Sequence, residues 1–240
     1  MIVIPMAGRS QRFRSAGYDL PKHMLPLDGG TVFDHAVGSF SRYFETVPFL
    51  LVTQGEGRAF VEERSRALGI HDVRIVTLDA NTSGQAETVA LGIERAACSS
   101  DASLTVFNID TFRPNFSYPV SAWLAESDGY LEVFDGEGDN WSYVRPNFAA
   151  STPLVAETAE KRPISDLCCT GLYHFARVAD MQAALESERR RPSAAELYVA
   201  PLYNHLIAAG ARIHYQRINR NEVQFCGVPS EYESLRRAAV

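Results

Sequence analysis

Lysine is nearly missing from this 240-residue chain: of 23 basic residues only two, Lys22 and Lys161, are lysine. A generic surface charge here is an arginine, so a lysine kept at two places marks sites that want a compact ammonium rather than a planar fork. Net positive charge is missing too. A formal charge of −6 removes the basic face that nonspecific nucleic-acid binding needs. It leaves room for a small anion held by a local basic loop. No apolar run approaches the roughly 18 residues that span a bilayer, so no membrane partner is expected. The apolar opening Ile2-Val3-Ile4 lacks the basic flank and the length of a signal peptide, and the expected compartment is the cytoplasm. Cysteine is sparse, and Cys98, Cys168, Cys169 and Cys226 show no zinc spacing. Buried free thiols in a reducing compartment are the expectation. The Asn-X-Ser sequons at Asn81, Asn115 and Asn140 then carry no meaning.

What is present is an alternation of strand and helix patterns. Ile2–Pro5, Pro48–Thr53, Val73–Thr77 and Leu104–Ile109 read as short apolar strands. Between them, Thr31 is placed to cap a helix whose Val32, Phe33, Ala36, Val37 and Phe40 share one face. Arg58–Leu68 is a second helix closed by Gly69. A third follows Ser83-Gly84-Gln85. Strands separated by helices imply a parallel sheet covered on both faces. The second half is less regular, with strands expected at Gly129–Phe134, Ser142–Arg145, Gly171–Phe175 and Ile213–Ile218. Helices are expected at Val178–Glu188, Glu196–Ala209 and Ser230–Ala239. The expected fold is α/β: a three-layer α/β/α Rossmann-like domain over residues 1–240, with a mixed, mainly parallel central sheet. Residues 1–110 would form a nucleotide-binding half and residues 111–240 an acceptor-binding half. Ligands of such sheets bind beyond the carboxyl ends of the strands, where both the loop after Pro5 and the acid Asp110 fall.

That first loop, Met6 to Leu27, gathers Arg9, Arg12, Arg14 and Lys22 against the single acid Asp19. Gly8 lets backbone N–H groups approach a phosphate closely. Arg12 can clamp phosphate oxygens bidentately, and Pro21 stiffens the approach to Lys22. The loop is an anion cradle in composition, yet it is neither a Walker loop nor G-x-G-x-x-G.

Ala7-Gly8-Arg9-Ser10-Gln11-Arg12-Phe13 followed by Pro21-Lys22 resembles the signature of the sugar nucleotidyltransferases, roughly A-G-x-G-x-R-(F/M) and then P-K. The Ala16-Gly17-Tyr18 form before Pro-Lys is similar to a branch that serves capsule and surface-polysaccharide synthesis. Further matches follow in order: Gly84-Gln85-Ala86-Glu87-Thr88, Asn108-Ile109-Asp110, Ser142-Tyr143, Glu160-Lys161-Arg162-Pro163-Ile164-Ser165, Thr170-Gly171-Leu172-Tyr173-His174-Phe175, Tyr198–Asn204 and Gly227-Val228-Pro229. Two positions depart from the pattern. Ser10-Gln11 stands where the second glycine belongs, and Phe225 stands where many relatives carry a late aspartate.

The resemblance implies attack by an acceptor phosphate on the α-phosphorus of a nucleoside triphosphate, with CTP the favoured triphosphate and pyrophosphate leaving. Arg12 and Lys22 would hold the departing pyrophosphate, and Lys161 the attacking phosphate. Ala7, Gly8, Gln85 and Asn108 would contact the nucleotide; Glu160 and Gly171 would contact a phosphorylated sugar or related acceptor. Asp110 would bind Mg2+; with Phe225 at the late position, Glu222 or Asn219 would be the second ligand, Glu222 being the candidate adopted. The family leaves a homodimer open. Such chemistry brings two anions together, so positioning and electrostatic stabilisation dominate and no covalent nucleophile is needed. The two departures motivate a rival, a non-catalytic nucleotide-binding or regulatory relative. A glycosyltransferase is the third reading, although Asp110-Thr111-Phe112 offers one acid where that class uses D-x-D. Several residues also have plain structural readings. Gln85 can be a helix N-terminal residue, and Glu160 can pair with Lys161 or Arg162. His23 neighbours Lys22 and could touch substrate. His174 alternates along a strand and reads as structural, Arg189–Arg191 as a solvated helix end, and Trp123 and Trp141 as packing residues.

Overall fold

The computed structural model describes residues 1–238. The chain opens with β1 (Ile2–Pro5), the short helix α1 (Gln11–Ser15), the ribbon β2 (Pro26–Leu27) and β3 (Gly30–Thr31), and α2 (Val32–Gly38). There follow β4 (Phe49–Gln54), α3 (Arg58–Ala67), β5 (Val73–Leu78), α4 (Gln85–Arg95) and β6 (Leu104–Phe107). The second half holds β7 (Thr111–Phe112), β8 (Gly129–Asp135), β9 (Ser142–Pro146), β10 (Val155–Glu160) and β11 (Leu167–Phe175). It ends with α5 (Val178–Arg190), α6 (Leu202–Ala208), β12 (Ile213–Ile218), β13 (Gln224–Phe225) and α7 (Pro229–Ala238).

Nine strands form one mixed sheet in the order β10-β9-β11-β6-β1-β4-β5, with β8 pairing β11 and β12. β5, β4, β1 and β6 are parallel neighbours, and β12 joins β8 in parallel. β11 runs antiparallel to β6 and β8 and, through Cys168, to β9. Its register shifts between Cys169 and Tyr173, which turns the Thr170-Gly171 peptide out of the ladder.

The period of two along each strand divides the core between the faces. Val3, Leu50, Val52, Leu104 and Val106 pack with α4, α5 and α6 residues on one side. Ile2, Ile4, Phe49, Leu51 and Phe107 pack with Val32, Phe33, Val61 and Tyr232 on the other. Strands that are nearly continuous apolar runs are what a doubly covered parallel sheet requires. Each such side chain contributes about 1.5–3 kcal/mol by leaving water.

Local signals act where expected. Thr31 caps α2: its Oγ1 accepts the Asp34 N–H at 3.3 Å, and the Asp34 carboxylate accepts the Thr31 N–H at 2.7 Å. This is a reciprocal capping box. One helix is shorter than its pattern. Residues 196–201 precede α6 instead of joining it, because they dock on the start of α4. Leu197 N–H donates to Ser83 O at 2.9 Å, and its carbonyl accepts Ala86 N–H at 2.8 Å. Strand β10, Val-Ala-Glu-Thr-Ala-Glu, carries no strong strand pattern and is held as the antiparallel partner of β9. Among the described residues no helix is long and apolar enough to cross a membrane. Cys98, Cys168, Cys169 and Cys226 are free thiols.

Candidate active site

The carboxyl ends of β1, β5 and β6 open onto a cleft of about 1030 Å³. Ala7, Gly8, Arg12, Lys22, Gln85, Asn108, Asp110, Glu160, Lys161 and Gly171 all line it. Residues remote in sequence meet there because β11 pairs with β6 and β9, and β9 with β10, so that strands of the second half continue the sheet beside the parallel ones.

In the loop after β1, Ser10 stands at the position where the resembled signature has a glycine. Ser10 has φ +51, in the left-handed region, which costs an L-residue about 1–2 kcal/mol. Its Oγ accepts the Lys22 N–H at 3.0 Å, a bond that offsets about 0.5–1.5 kcal/mol of that cost. The side chain therefore ties the two ends of the cradle together. Arg12 projects from α1 and is exposed; its guanidinium has no protein partner among the described residues. Lys22 Nζ sits 2.5 Å from Asp110 Oδ2, with each side chain about a fifth exposed. The loop after β1 and the end of β6 are thus joined by a direct ion pair inside the cleft.

At the start of α4, Gln85 Nε2 donates to Asn108 Oδ1 at 2.5 Å. The Asn108 N–H in turn donates to Gly171 O at 3.0 Å. Gly171 has φ +98, and a Cβ there would lie 2.5 Å from Asn108 Nδ2. Glycine is required at that point by both backbone and space.

After β10, Lys161 Nζ donates to Tyr198 Oη at 2.6 Å and lies 4.8 Å from the Tyr198 ring centre. The hydrogen bond to Tyr198 raises the pKa of Lys161, against a smaller lowering by burial, with Glu160 and Glu196 adding to the rise. Burial raises the Glu160 carboxyl, opposed by its hydrogen bond from Ser142 and by Lys161. Lys161 also has φ +51 and is anchored through its N–H to Trp141 O at 2.8 Å. Strained backbone held by neighbouring structure is typical of working sites.

Glu222 does not line the cleft, which corrects the expectation of a second metal ligand there. Its Oε2 accepts the Asn219 N–H at 2.7 Å and the Asn219 amide at 3.1 Å, closing a capping box over the turn at residues 220–222. Phe225 reaches the cleft but packs 4.6 Å from Trp141 and 5.3 Å from Phe134, with Arg220 over its ring at 5.0 Å. Beneath these residues lies a buried ion pair that sequence reading missed. Arg113 Nε meets Glu132 Oε1 at 2.8 Å, and Thr170 Oγ1 donates to the same oxygen at 3.0 Å. Arg113 also donates to Glu222 O at 2.6 Å. The pair fastens β7, β8, β11 and the turn before β13 to one another under the cleft floor. Burial raises the Glu132 carboxyl, opposed by the charge and hydrogen bonds of Arg113.

Three further acids of the cleft, Glu137, Glu196 and Glu231, were not foreseen. Glu231 stands two residues after Pro229, an arrangement that reads from sequence only as a helix-start acid. His23 is 4% exposed. Burial, with the Lys22 charge, lowers its pKa to about 4, so near neutral pH it is an uncharged wall residue. It also borders a smaller cavity of about 400 Å³ behind the loop, with Gly57 and Thr53. His174 bonds Thr105 Oγ1 at 3.0 Å and stacks on Tyr130, as a structural residue would. Arg189 bridges Glu87 at 3.1 Å and Glu186 at 2.5 Å. Trp141 packs on Phe134 as well as on Phe225.

Taken as a whole, the chain is similar to a solved nucleoside-diphosphate-sugar pyrophosphorylase from Vibrio cholerae RC9. Identity is 51% over 99% of this chain and 100% of that one, with a TM-score of 0.93. The inositol-1-phosphate CTP transferase from T. maritima is similar at 16% identity and TM-score 0.75, covering 98% of this chain and 94% of that one. A UDP-glucose pyrophosphorylase complexed with UDP-glucose is similar at 14% identity and TM-score 0.77, covering 99% and 97%. At such identities the likeness shows the fold. No protein-family model matches the chain, and no curated protein does.

Proposed function

The chain belongs to the sugar-nucleotidyltransferase family, and from that premise we propose that it transfers a nucleoside monophosphate from a triphosphate to a phosphorylated sugar or related small molecule, releasing pyrophosphate. The observation that carries this reading is the meeting of Arg12, Lys22, Lys161 and Asp110 around one cleft. Two repelling anions can be held together there only if their charge is offset, and each group has a place in doing so. Arg12 and Lys22 draw charge from the departing pyrophosphate. Lys161, steadied by Tyr198, holds the attacking phosphate as a point charge. Gln85 and Asn108 face the nucleotide as one hydrogen-bonded unit, and Glu160 and Gly171 face the acceptor.

Asp110 is suited to a hard divalent ion such as Mg2+. Its carboxylate already attracts a cation, the Lys22 ammonium at 2.5 Å, and oxygen donors are what such an ion prefers. When bound, the ion would offset phosphate charge as a Lewis acid. The attacking phosphate is ionised at neutral pH, so no strong general base is required. On this reading residues 1–110 serve the nucleotide and residues 111–240 the acceptor. CTP is the proposed triphosphate and surface-polysaccharide precursor synthesis in the cytoplasm the proposed setting, both from the motif resemblance.

Pyrophosphate release with Mg2+, measured for the four triphosphates against sugar phosphates and phosphorylated amides and alcohols, tests the reading. One triphosphate–acceptor pair should release pyrophosphate only when both are present. Lys22→Ala should lower that rate by about 10²–10³-fold, the usual cost of one preorganised electrostatic group, while remaining folded. Nucleotide binding without release across the panel would support the non-catalytic rival. Consumption of a nucleotide sugar without any triphosphate would support the glycosyltransferase.

A further inference from the structure

We propose that Glu231 is the second carboxylate of the cation site at Asp110, and that the Lys22 ammonium is its resident occupant in the free enzyme. The inference rests on the reading of Asp110 given above. Gly227 supplies the geometry. A Cβ built on it would lie 3.3 Å from Asp110 Oδ2 and 3.6 Å from Glu231 Oε2. The two carboxylates therefore border the same small space, which any side chain at position 227 would fill.

The neighbouring candidates are spoken for. Phe225 has no donor and is packed against Trp141. Glu222 caps its own turn. Glu160 accepts from Ser142. Glu231 is held in place by one oxygen only: Oε2 accepts the Gly227 N–H at 2.8 Å and the Val228 N–H at 3.2 Å. Its Oε1 has no protein partner among the described residues, so one oxygen orients the group while the other stays available.

Charge supplies the second part. Asp110 and Glu231 together carry two negative charges, and Lys22, 2.5 Å from Asp110, balances one of them. A divalent ion in place of the ammonium balances both. Such an ion would complete its shell with phosphate oxygens and water, the usual arrangement where a protein offers one or two carboxylates. Ammonium and divalent ion compete for the same carboxylate, so the ion binds the free enzyme weakly. It binds well once a triphosphate draws Lys22 away.

Mn2+ alone, titrated into the free enzyme and followed by the loss of the free-ion electron paramagnetic resonance signal, tests this. Lys22→Ala should tighten Mn2+ binding about tenfold or more, although the same variant loses activity. Adding Glu231→Gln to Lys22→Ala should weaken Mn2+ binding at least tenfold. The glutamine oxygen still accepts from Gly227 and Val228, so the melting temperature should hold. Unchanged Mn2+ affinity on adding Glu231→Gln overturns the role of Glu231, and no gain in Lys22→Ala overturns the role of Lys22. Asp110→Asn should abolish binding; if it does not, the Asp110 reading fails and this inference with it. Should Glu231→Gln unfold the protein, anomalous scattering from Mn2+ in crystals of the unaltered enzyme with triphosphate decides directly. An ion ligated by both Asp110 and Glu231 supports the proposal, and one on Asp110 alone refutes it.

Discussion

Replacing Gly171 by alanine puts the central hydrogen-bonded unit of the cleft under a defined load. The added methyl would lie 2.5, 2.6 and 2.9 Å from Asn108 Nδ2, Cγ and Cβ, where unbonded atoms prefer about 3.5–4.0 Å. Asn108 is poorly placed to yield, since its Oδ1 holds Gln85 and its N–H holds Gly171 O. Overpacking of this kind costs about 1–3 kcal/mol. The backbone at φ +98 adds about 1–2 kcal/mol for a residue with a Cβ. The expected destabilisation is about 2–5 kcal/mol, read from urea unfolding at constant m-value. The KM for the triphosphate should rise as Gln85 is displaced. Asn108→Gly removes all three contacts, so in the double variant the overpacking part should disappear and the backbone part remain. That leaves a favourable coupling of about 1–3 kcal/mol. Additive behaviour, or a Gly171→Ala protein as stable as the parent, would refute the argument.

The buried pair below the cleft makes a sharper test of stability than of activity. Arg113→Met should destabilise by about 3–5 kcal/mol because Glu132 is left buried without its partner, whereas Arg113→Met with Glu132→Leu should recover most of the loss. Denaturant titration of both proteins decides, and a single variant costing under about 1 kcal/mol would show the pair is not desolvated. His23 predicts a pH effect. Its pKa falls from 6.5 to about 4 on folding, so below pH 6.5 the unfolded chain takes up a proton that the folded chain refuses. Stability should drop by about 1.4 kcal/mol per pH unit from this group, up to about 3 kcal/mol by pH 4, with no effect above pH 7. His23→Gln should remove that share of the slope, leaving the similar share of His174, whose pKa burial also lowers to about 4. A slope unaltered in His23→Gln would place the titration elsewhere.

Most of the sheet could be read before any coordinate was seen, because its strands are short, mainly apolar runs and, in the first half, lie between helices with one apolar face. The misreadings share a cause. β10 has a weak pattern and exists through pairing with β9. Residues 196–201 look helical but are captured by Ser83 and Ala86. Glu222 and Glu231 are both acids near the end of the chain, and nothing local says which faces Asp110. Arg113 and Glu132 are ordinary charges in sequence and a desolvated pair in space.

Sequence alone determined the parallel half of the sheet, the basic loop after β1 and most of the charged residues that line the cleft. Hydrophobic period, capping and glycine or proline placement act over a few residues and are written in order along the chain. Tertiary structure alone decided that Lys22 rests on Asp110, that Ser10 bonds to Lys22, and that Glu231 rather than Glu222 shares the space beside Gly227. Each of these depends on groups from 12 to more than 100 positions apart arriving within a few ångströms. No local preference encodes such distances; they are set when both faces of the sheet are packed and the strand ends are brought to one rim.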